Sequence, residues 1–341
     1  NNTIQWNYTF AQKHHTVLTL VQEAEERRYW KDRIEARNIL PTDALGFHNT
    51  SSGDPTRSSF STEDTHQTAD ALLGRLFYSY DNRYMLTASI RRDGYSAFGH
   101  NNPYAYFPSV AIGWSFVDEK FFQWRPMSTG KLRVSWGKNG NRSLANPYLA
   151  LADLTKGNMQ GYVDASGNTY NIYYLRIARM ANPNLQWEKT ASLNLGLDFG
   201  FFDNHITGSI EYYNMNTQRL PDLSGFNSIT TNLGEVSNNG IEIYINTSNI
   251  NNDILKWNTT LSFSYNKNKI KHLYYEYEDI LDSNGNVIGR KEMDDETNNW
   301  FIGQPISAIW NYNVTGIWQV DEIEEAKLYR QKPGDPKVAN N

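Results

Sequence analysis

The sequence predicts an all-β fold, an antiparallel up-and-down transmembrane β-barrel. Three observations point there: apolar residues recur at every second position, long polar connections alternate with short turns, and aromatic residues gather at segment ends. A strand with lipid on one side and a wet lumen on the other must alternate in this way. Antiparallel neighbours place every second connection on the same side of the membrane, so short and long connections should not mix. Aromatic rings favour the lipid–water boundary, where one end is apolar and the other wet.

The alternation locates eleven strands, at about 3–10, 15–27, 69–80, 84–94, 105–116, 130–138, 187–202, 205–216, 237–249, 254–267 and 310–319. Tyr84, Leu86, Ala88 and Ile90 oppose Met85, Thr87, Ser89 and Arg91; Leu132, Val134 and Trp136 oppose Lys131, Arg133 and Ser135. The longest run sets Leu193, Leu195, Leu197, Phe199 and Phe201 against Ser192, Asn194, Gly196, Asp198 and Gly200. From Trp257, Thr259, Leu261, Phe263 and Tyr265 face away from Asn258, Thr260, Ser262, Ser264 and Asn266. Leu193, Leu195, Leu197, Phe199, Leu261 and Phe263 are the residues expected to face lipid. The opposite set mixes charges with Gly, Ser and Asn, as a water-filled channel requires.

Short turns are expected near Lys13-His14 and at Asp81-Asn82, Asp203-Asn204 and Asn251-Asn252-Asp253, with a longer one through Asp118 to Thr129. The intervening stretches 27–67, 94–103, 139–186, 217–236 and 267–309 are long and polar, and are expected to be extracellular loops. A Greek-key sandwich gives no reason for such alternation. An open sheet in lipid would leave unpaired backbone groups at several kcal/mol each. The 341 residues are therefore expected to be part of one larger barrel, lacking a plug domain and closing strands.

Composition agrees with broad amphipathic surfaces. Aromatics reach 14%, whereas apolar residues make up 39%, below the roughly 45–50% of globular domains. A net charge of -5 gives no sign of a nucleic-acid partner, and the absence of cysteine excludes disulfides, thiolate zinc sites and cysteine nucleophiles. No run approaches the roughly 18 apolar residues of a membrane helix. Asn1-Asn2-Thr3-Ile4 lacks the character of a signal peptide, which suggests a cleaved leader or an internal piece.

No catalytic constellation emerges. His14, His15, His48, His66, His100, His205 and His272 are scattered without metal-pair spacing, and no Gly-x-Ser-x-Gly elbow is present. Asp282-Ser283-Asn284-Gly285-Asn286 has alternate oxygen side chains but lacks a downstream bidentate Glu, so a hairpin turn explains it more simply. No cofactor or metal is expected. The binding candidates are loop tyrosines, Tyr162, Tyr170, Tyr173 and Tyr174 in one stretch and Tyr274, Tyr275 and Tyr277 in another. Flat rings beside amides suit sugar rings or extended peptides; packing of the loops themselves is the equal alternative.

Five segments carry a resemblance. LFYSYDNRYMLTASIRRDGYSAFGHNNPYAYFPSVAIGWSFVDEKFF (76–122), KLRVSWGKNGN (131–141), ANPNLQWEKTASLNLGLDFGFFDNHITGSIEYYN (181–214), NLGEVSNNGIEIYI (232–245) and FIGQPISAIWNYNVTGIWQ (301–319) occur in order. Together they resemble the SusC/RagA family of TonB-linked outer-membrane proteins. Pro333-Gly334-Asp335 is also similar, although the chain stops before the acidic turn that the family places next. The resemblance implies a 22-stranded barrel in the outer membrane of a Gram-negative, Bacteroidetes-like bacterium. It also implies a plug, TonB coupling through the missing N-terminal region, and a SusD-like surface lipoprotein partner. The implied cargo is glycan oligosaccharides or peptides. The rivals are a siderophore or cobalamin receptor, a passive porin, a barrel enzyme, and a soluble β-rich binding module.

Overall fold

The computed structural model describes residues 1–39, 50–144, 146–218, 234–309 and 313–338. Its strands, in chain order, are β1 (Asn2–Phe10), β2 (His14–Glu35), β3 (Ser59–Tyr80), β4 (Tyr84–Tyr95), β5 (Tyr104–Ser115), β6 (Met127–Asn141), β7 (Asp153–Val163) and β8 (Thr169–Arg179). They continue with β9 (Glu188–Phe201), β10 (Ile206–Gln218), β11 (Glu235–Asn251), β12 (Lys256–His272), β13 (Tyr277–Leu281), β14 (Val287–Glu292), β15 (Val314–Ile317) and β16 (Pro336–Val338), with one helix, α1 (Ile323–Leu328), between the last two. The chain divides into two units, residues 1–267 and 268–341.

The first unit is built on one ten-stranded sheet in the order β1-β2-β3-β4-β5-β6-β9-β10-β11-β12. Strands adjacent in sequence are adjacent in the sheet, except where the β7–β8 hairpin is inserted between β6 and β9. This is the up-and-down connectivity that the short turns require. Asp81 and Asn82 turn at φ 52° and 54°, and Asp203 and Asn204 at 52° and 63°, left-handed values that Asp and Asn tolerate. The first turn is corrected by one position. Phe10 pairs with His14, their rings stacking at 4.3 Å, so Ala11, Gln12 and Lys13 make the turn and His14 belongs to β2.

Register carries one face across the sheet from β1 to β11. Trp6, Leu18, Leu76, Ala88, Val110, Trp136 and Leu193 form a continuous row. Four residues nearer the short turns, Phe10, His14, Tyr80, Tyr84, Trp114, Leu132, Leu197, Ile210 and Ile243 form another. Tyr80 stacks on Tyr84 at 6.3 Å, and the Tyr84 hydroxyl donates to Glu119 just beyond the strands, so rings and polar tips mark a boundary there.

Several strands outrun their apolar pattern. β2 and β3 stay paired from His14↔Tyr80 to Glu35↔Ser59, well beyond the expected ends at 27 and 69. Backbone ladders continue in water; the alternation reports only where one side needs an apolar surface. Exposed ion pairs such as Arg28–Glu26 at 2.7 Å accompany the extension. Two expected loops contain hairpins of their own, β7–β8 within 139–186 and β13–β14 within 267–309. Most of the expected loop 217–236 lies outside the described residues.

The eleventh expected strand, 310–319, is a correction. Trp310 lies outside the described residues, and β15 pairs with β16 in a separate two-stranded sheet of the second unit. Four residues are too few for the roughly 9–11 that cross hydrocarbon. Buried Trp318 fixes this small motif: its backbone N–H donates to Asp335 and its indole to Gln331 at 2.6 Å.

Candidate functional site

The two faces of the ten-stranded sheet differ in chemistry at every level. Leu193, Leu195, Leu261 and Phe263 are exposed, Leu261 at 59% and Phe263 at 56%, and among the described residues of this unit no second sheet covers them. Leu197 and Phe199 are half-buried by their own neighbours: Phe199 sits 5.6 Å from Phe201 and lies over Gly208, where a Cβ would come within 2.7 Å of its ring.

The opposite face carries His15, Ser79, Met85, Gly113, Arg133, Gly196, Glu211 and Glu242 in a single row. Arg133 makes a bidentate pair with Asp198, both bonds 2.8 Å, and donates to Glu211 at 2.8 Å. Asn194 adds a bond to Glu211 at 3.3 Å. Gly196 leaves room for the guanidinium, since a Cβ there would meet Arg133 Cζ at 3.0 Å. Charges at this depth are tolerated only on a face with water and partners.

Away from the short turns, loops fold onto this polar face. Phe98, Ala105, Phe107, Ala150, Leu185 and Trp187 form a buried cluster, with the Phe98 and Trp187 rings 4.9 Å apart. The segments 96–102 and 182–187 are fastened by Gly99 N–H to Leu185 carbonyl at 2.8 Å and Asn101 N–H to Pro183 carbonyl at 3.1 Å. Gly99 is required there, because a Cβ would lie 2.1 Å from the Pro183 carbonyl oxygen. Beside the cluster is a cleft of about 480 Å³, lined by Glu23, Arg91, Asp93, Phe107, Arg142 and Trp187 among others. Arg91 holds Asp93 and, at 2.6 Å, Glu23. Arg142 reaches from its loop to Glu25 at 2.7 Å. The cleft therefore joins paired charges to an aromatic wall.

The tyrosines expected to bind are placed in two separate settings. Tyr162 and Tyr170 pair across the β7–β8 hairpin, while the Tyr174 ring occupies the space over Gly157 and Tyr173 takes Lys156 Nζ at 3.3 Å from its centre. Tyr162, Tyr170, Tyr173 and Tyr174 all remain exposed. In the second unit Tyr274 donates to Asp295 at 2.5 Å; burial and that carboxylate push its hydroxyl up to about 12. Tyr275, at φ 56°, stacks on His272 and donates its N–H to buried Glu292, whereas Tyr277 is exposed on β13. Tyr274 and Tyr275 are thus engaged in packing their own loop.

Asp282-Ser283-Asn284-Gly285-Asn286 is a hairpin turn between β13 and β14, with Gly285 at φ 83° and Asp282 accepting from the N–H groups of Asn284 and Asn286. Asp164-Ala165-Ser166-Gly167-Asn168 repeats it between β7 and β8, with Gly167 also at φ 83°. The donated N–H groups hold both carboxyls below their usual range. Among the described residues no three His, Cys, Asp or Glu side chains gather as a metal site would need.

The aromatic cluster was missed from sequence. Trp187 is distant in the chain from Phe98 and Phe107, and only the loop-closing Asn182-Pro183-Asn184 before Trp187 marks a fixed turn.

Such a sheet, apolar on one face and charged on the other, is the wall of an outer-membrane β-barrel. The chain belongs to the family described as TonB dependent receptor-like, beta-barrel, whose profile it matches over residues 1–327. It is 31% identical to TonB-dependent receptor P26 of Formosa agariphila over 99% of its own length and 33% of that protein. It is 35% identical to TonB-dependent receptor SusC of Bacteroides thetaiotaomicron, over 61% of its own length and 21% of that protein. Thus the chain spans about a third or less of the curated relatives it matches. In fold it is similar to the RagAB peptide importer in the open-open state, with a TM-score of 0.73 at 22% identity, covering 99% of this chain and 35% of that one. The SusC/RagA resemblance of the five motifs is borne out.

Proposed function

We propose that this chain is part of the wall of a TonB-dependent importer of oligomeric nutrients, glycan oligosaccharides or peptides, and works as the SusC-like partner of a SusD-like lipoprotein. The observation that carries the reading is the division of the sheet: apolar residues on one face, and on the other a charged surface that the loops roof over at one end. In this reading Leu193, Leu195, Leu197, Phe199, Leu261 and Phe263 face lipid, and Arg133, Asp198 and Glu211 face the channel. The short turns are periplasmic and the loops extracellular. A bulky ligand entering past Trp187 and Phe107 meets rings and paired charges, which suits molecules with both apolar faces and polar edges. Tyr162, Tyr170, Tyr173 and Tyr277 are exposed enough to touch cargo or a lid; Tyr174 lies on its own hairpin, and Tyr274 and Tyr275 support their loop. The chemistry is binding and passage, not bond making, so the protein acts as a transporter rather than an enzyme. A plug and closing strands belong to the rest of a 22-stranded barrel.

The relatives' names support this reading: SusC is a TonB-dependent receptor, and the RagAB structures are of a peptide importer. The test is uptake of labelled oligosaccharides and peptides by cells carrying the full-length protein, with and without a protonophore. Uptake of one class that stops when the proton gradient collapses is expected. Uptake that continues unchanged would mean a passive pore.

A further inference from the structure

The polar face is not uniform. On β2 and β3 it carries two apolar cross-strand pairs, Val17 with Phe77 and Val21 with Leu73, and Met85 joins them from β4. All five side chains are half-buried, and the His15 ring meets Phe77 edge-on at 6.1 Å. In the rows that hold Ser79, Phe77 and Arg75 on β3, β9 places Gly196, Asn194 and Ser192. One sector is therefore oily where the other is wet, at the same depth.

The cations differ in the same way. Arg133, beside β9, is held by Asp198 and Glu211. Arg75 stands exposed between the Val17–Phe77 and Val21–Leu73 pairs, with no hydrogen-bond or ion-pair partner among the described residues. Lys131 has none among them either. Between Lys131 and Arg133 on one side and Phe77 and Met85 on the other is a hollow of about 230 Å³, with Ala111 and Gly113 beneath it. A Cβ at Gly113 would stand 3.1 Å from Lys131 Cε and 3.6 Å from Met85 Cβ, so the glycine keeps the hollow open.

An apolar patch of this kind, rimmed by unpaired charge, marks a contact with protein. Its place in the sheet decides what can reach it. Lipid touches the opposite face. The roofing loops, and any lid upon them, are at the far end of the strands, whereas Phe77 is close to the Asp81-Asn82 turn. Cargo passes and leaves. A ring of about 22 strands is too wide for its own side chains to fill, and its lumen holds a plug. The matched stretch is 33% of the length of TonB-dependent receptor P26, which leaves ample chain for such a body.

We propose that the apolar sector of β2 and β3, with Met85, is the seat of the plug. The plug sets an apolar side chain into the hollow over Ala111 and Gly113 and brings carboxylates to Arg75 and Lys131. The cargo path then follows the wet wall past Arg133, Asn194 and Glu211. The proposal rests on the reading that this face lines a plugged channel, and adds which wall the plug takes and what charge it carries there.

The test places the photoreactive residue p-benzoylphenylalanine at 77 or 85, and for comparison at 192 or 194, in the full-length protein in outer membranes. Adducts are mapped by mass spectrometry. Labels replacing Phe77 and Met85 should join the plug of the same polypeptide at yields severalfold above those replacing Ser192 and Asn194. Arg75→Glu should raise the ion leak through the closed protein in planar bilayers severalfold, while Ser192→Glu leaves it at the wild-type level. The heat-dependent gel shift of a folded barrel checks that both variants fold. Equal yields in the two sectors, adducts with a second polypeptide at 77 and 85, or no added leak in folded Arg75→Glu protein would overturn the proposal. Adducts with acyl chains at 77 and 85 would instead sink the reading of this face as the channel wall.

Discussion

Trp136 and Arg133 are three residues apart on one strand and belong to opposite worlds. Trp136 stands in a row of exposed apolar side chains, whereas Arg133 binds Asp198 and Glu211 within a charged row. In a soluble sandwich, the apolar face would be the buried one. Here the apolar residues are exposed and the charged ones are partly sheltered by each other. The difference teaches that the solvent, rather than a second layer of protein, completes this fold.

The largest effect that can break the comparison is a charge on the apolar face. Leu195→Lys should destabilise the barrel in bilayers by about 2–4 kcal/mol, as a cation facing the middle of the hydrocarbon does. Thr87→Lys, on the polar face, should change stability by no more than about 0.5 kcal/mol. Denaturant titration of the full-length protein refolded into liposomes measures both. Equal costs for the two would erase the distinction between faces.

A middling effect is expected at two polar-face positions. Gly99→Ala forces a Cβ against the Pro183 carbonyl, so the fastened loops must part at a cost of about 1–3 kcal/mol. Trp187 should then exchange its buried environment for water, seen as a red shift of its emission and faster amide exchange at 96–102 and 182–187. Arg133→Met strands two partly sheltered carboxylates that water still reaches, and should cost about 1–2 kcal/mol in the same titration. Adding Asp198→Asn and Glu211→Gln should restore part of that loss.

The smallest effect sharpens the contrast between the sheet and the second unit. Burial and Asp295 raise the Tyr274 hydroxyl from 10.0 to about 12, so its ionised form is disfavoured in the folded loop. A group whose folded value is raised stabilises below its unfolded value and loses that contribution as pH climbs through the folded one. The contribution of Tyr274 is therefore expected to be complete below pH 10 and to fade as pH rises toward about 12. Amide exchange around 272–300 should quicken over that window in wild type, and Tyr274→Phe should flatten the pH dependence there.

What could be read in the sequence follows from the same physics. The ten strands of the sheet were legible because lipid imposes a period of two, and the turns because Asp-Asn pairs accept left-handed backbone. Strand ends were not legible. Beyond Arg27 and before Ala69 nothing apolar is needed on either face, yet the ladder of β2 and β3 continues to Glu35 and Ser59. The Val314–Ile317 segment misled in the opposite sense: its β-favouring residues form a strand, but one that pairs with Pro336–Val338. As for the site, Trp187 meets Phe107 and Phe98 only through the pairing of β5 and β9 with opposite sides of β6 and the loop lock at Gly99, and local pattern carries no record of such a meeting. Tyr162 and Tyr170, by contrast, are close enough in sequence for one hairpin turn to bring them together.

These 341 residues contain no cysteine, so a single cysteine introduced among them is the one labelling site within this stretch, with any cysteine elsewhere in the full-length protein first replaced by serine. The direct measurement is the accessibility of labels at 192, 193, 194, 195, 263 and 264 in the full-length protein in bilayers. Labels replacing Leu193, Leu195 and Phe263 should collide with oxygen dissolved in the hydrocarbon, and those replacing Ser192, Asn194 and Ser264 with a water-soluble nickel chelate. Labels that are shielded from both reagents at 193, 195 and 263, as between two stacked sheets, would contradict the account.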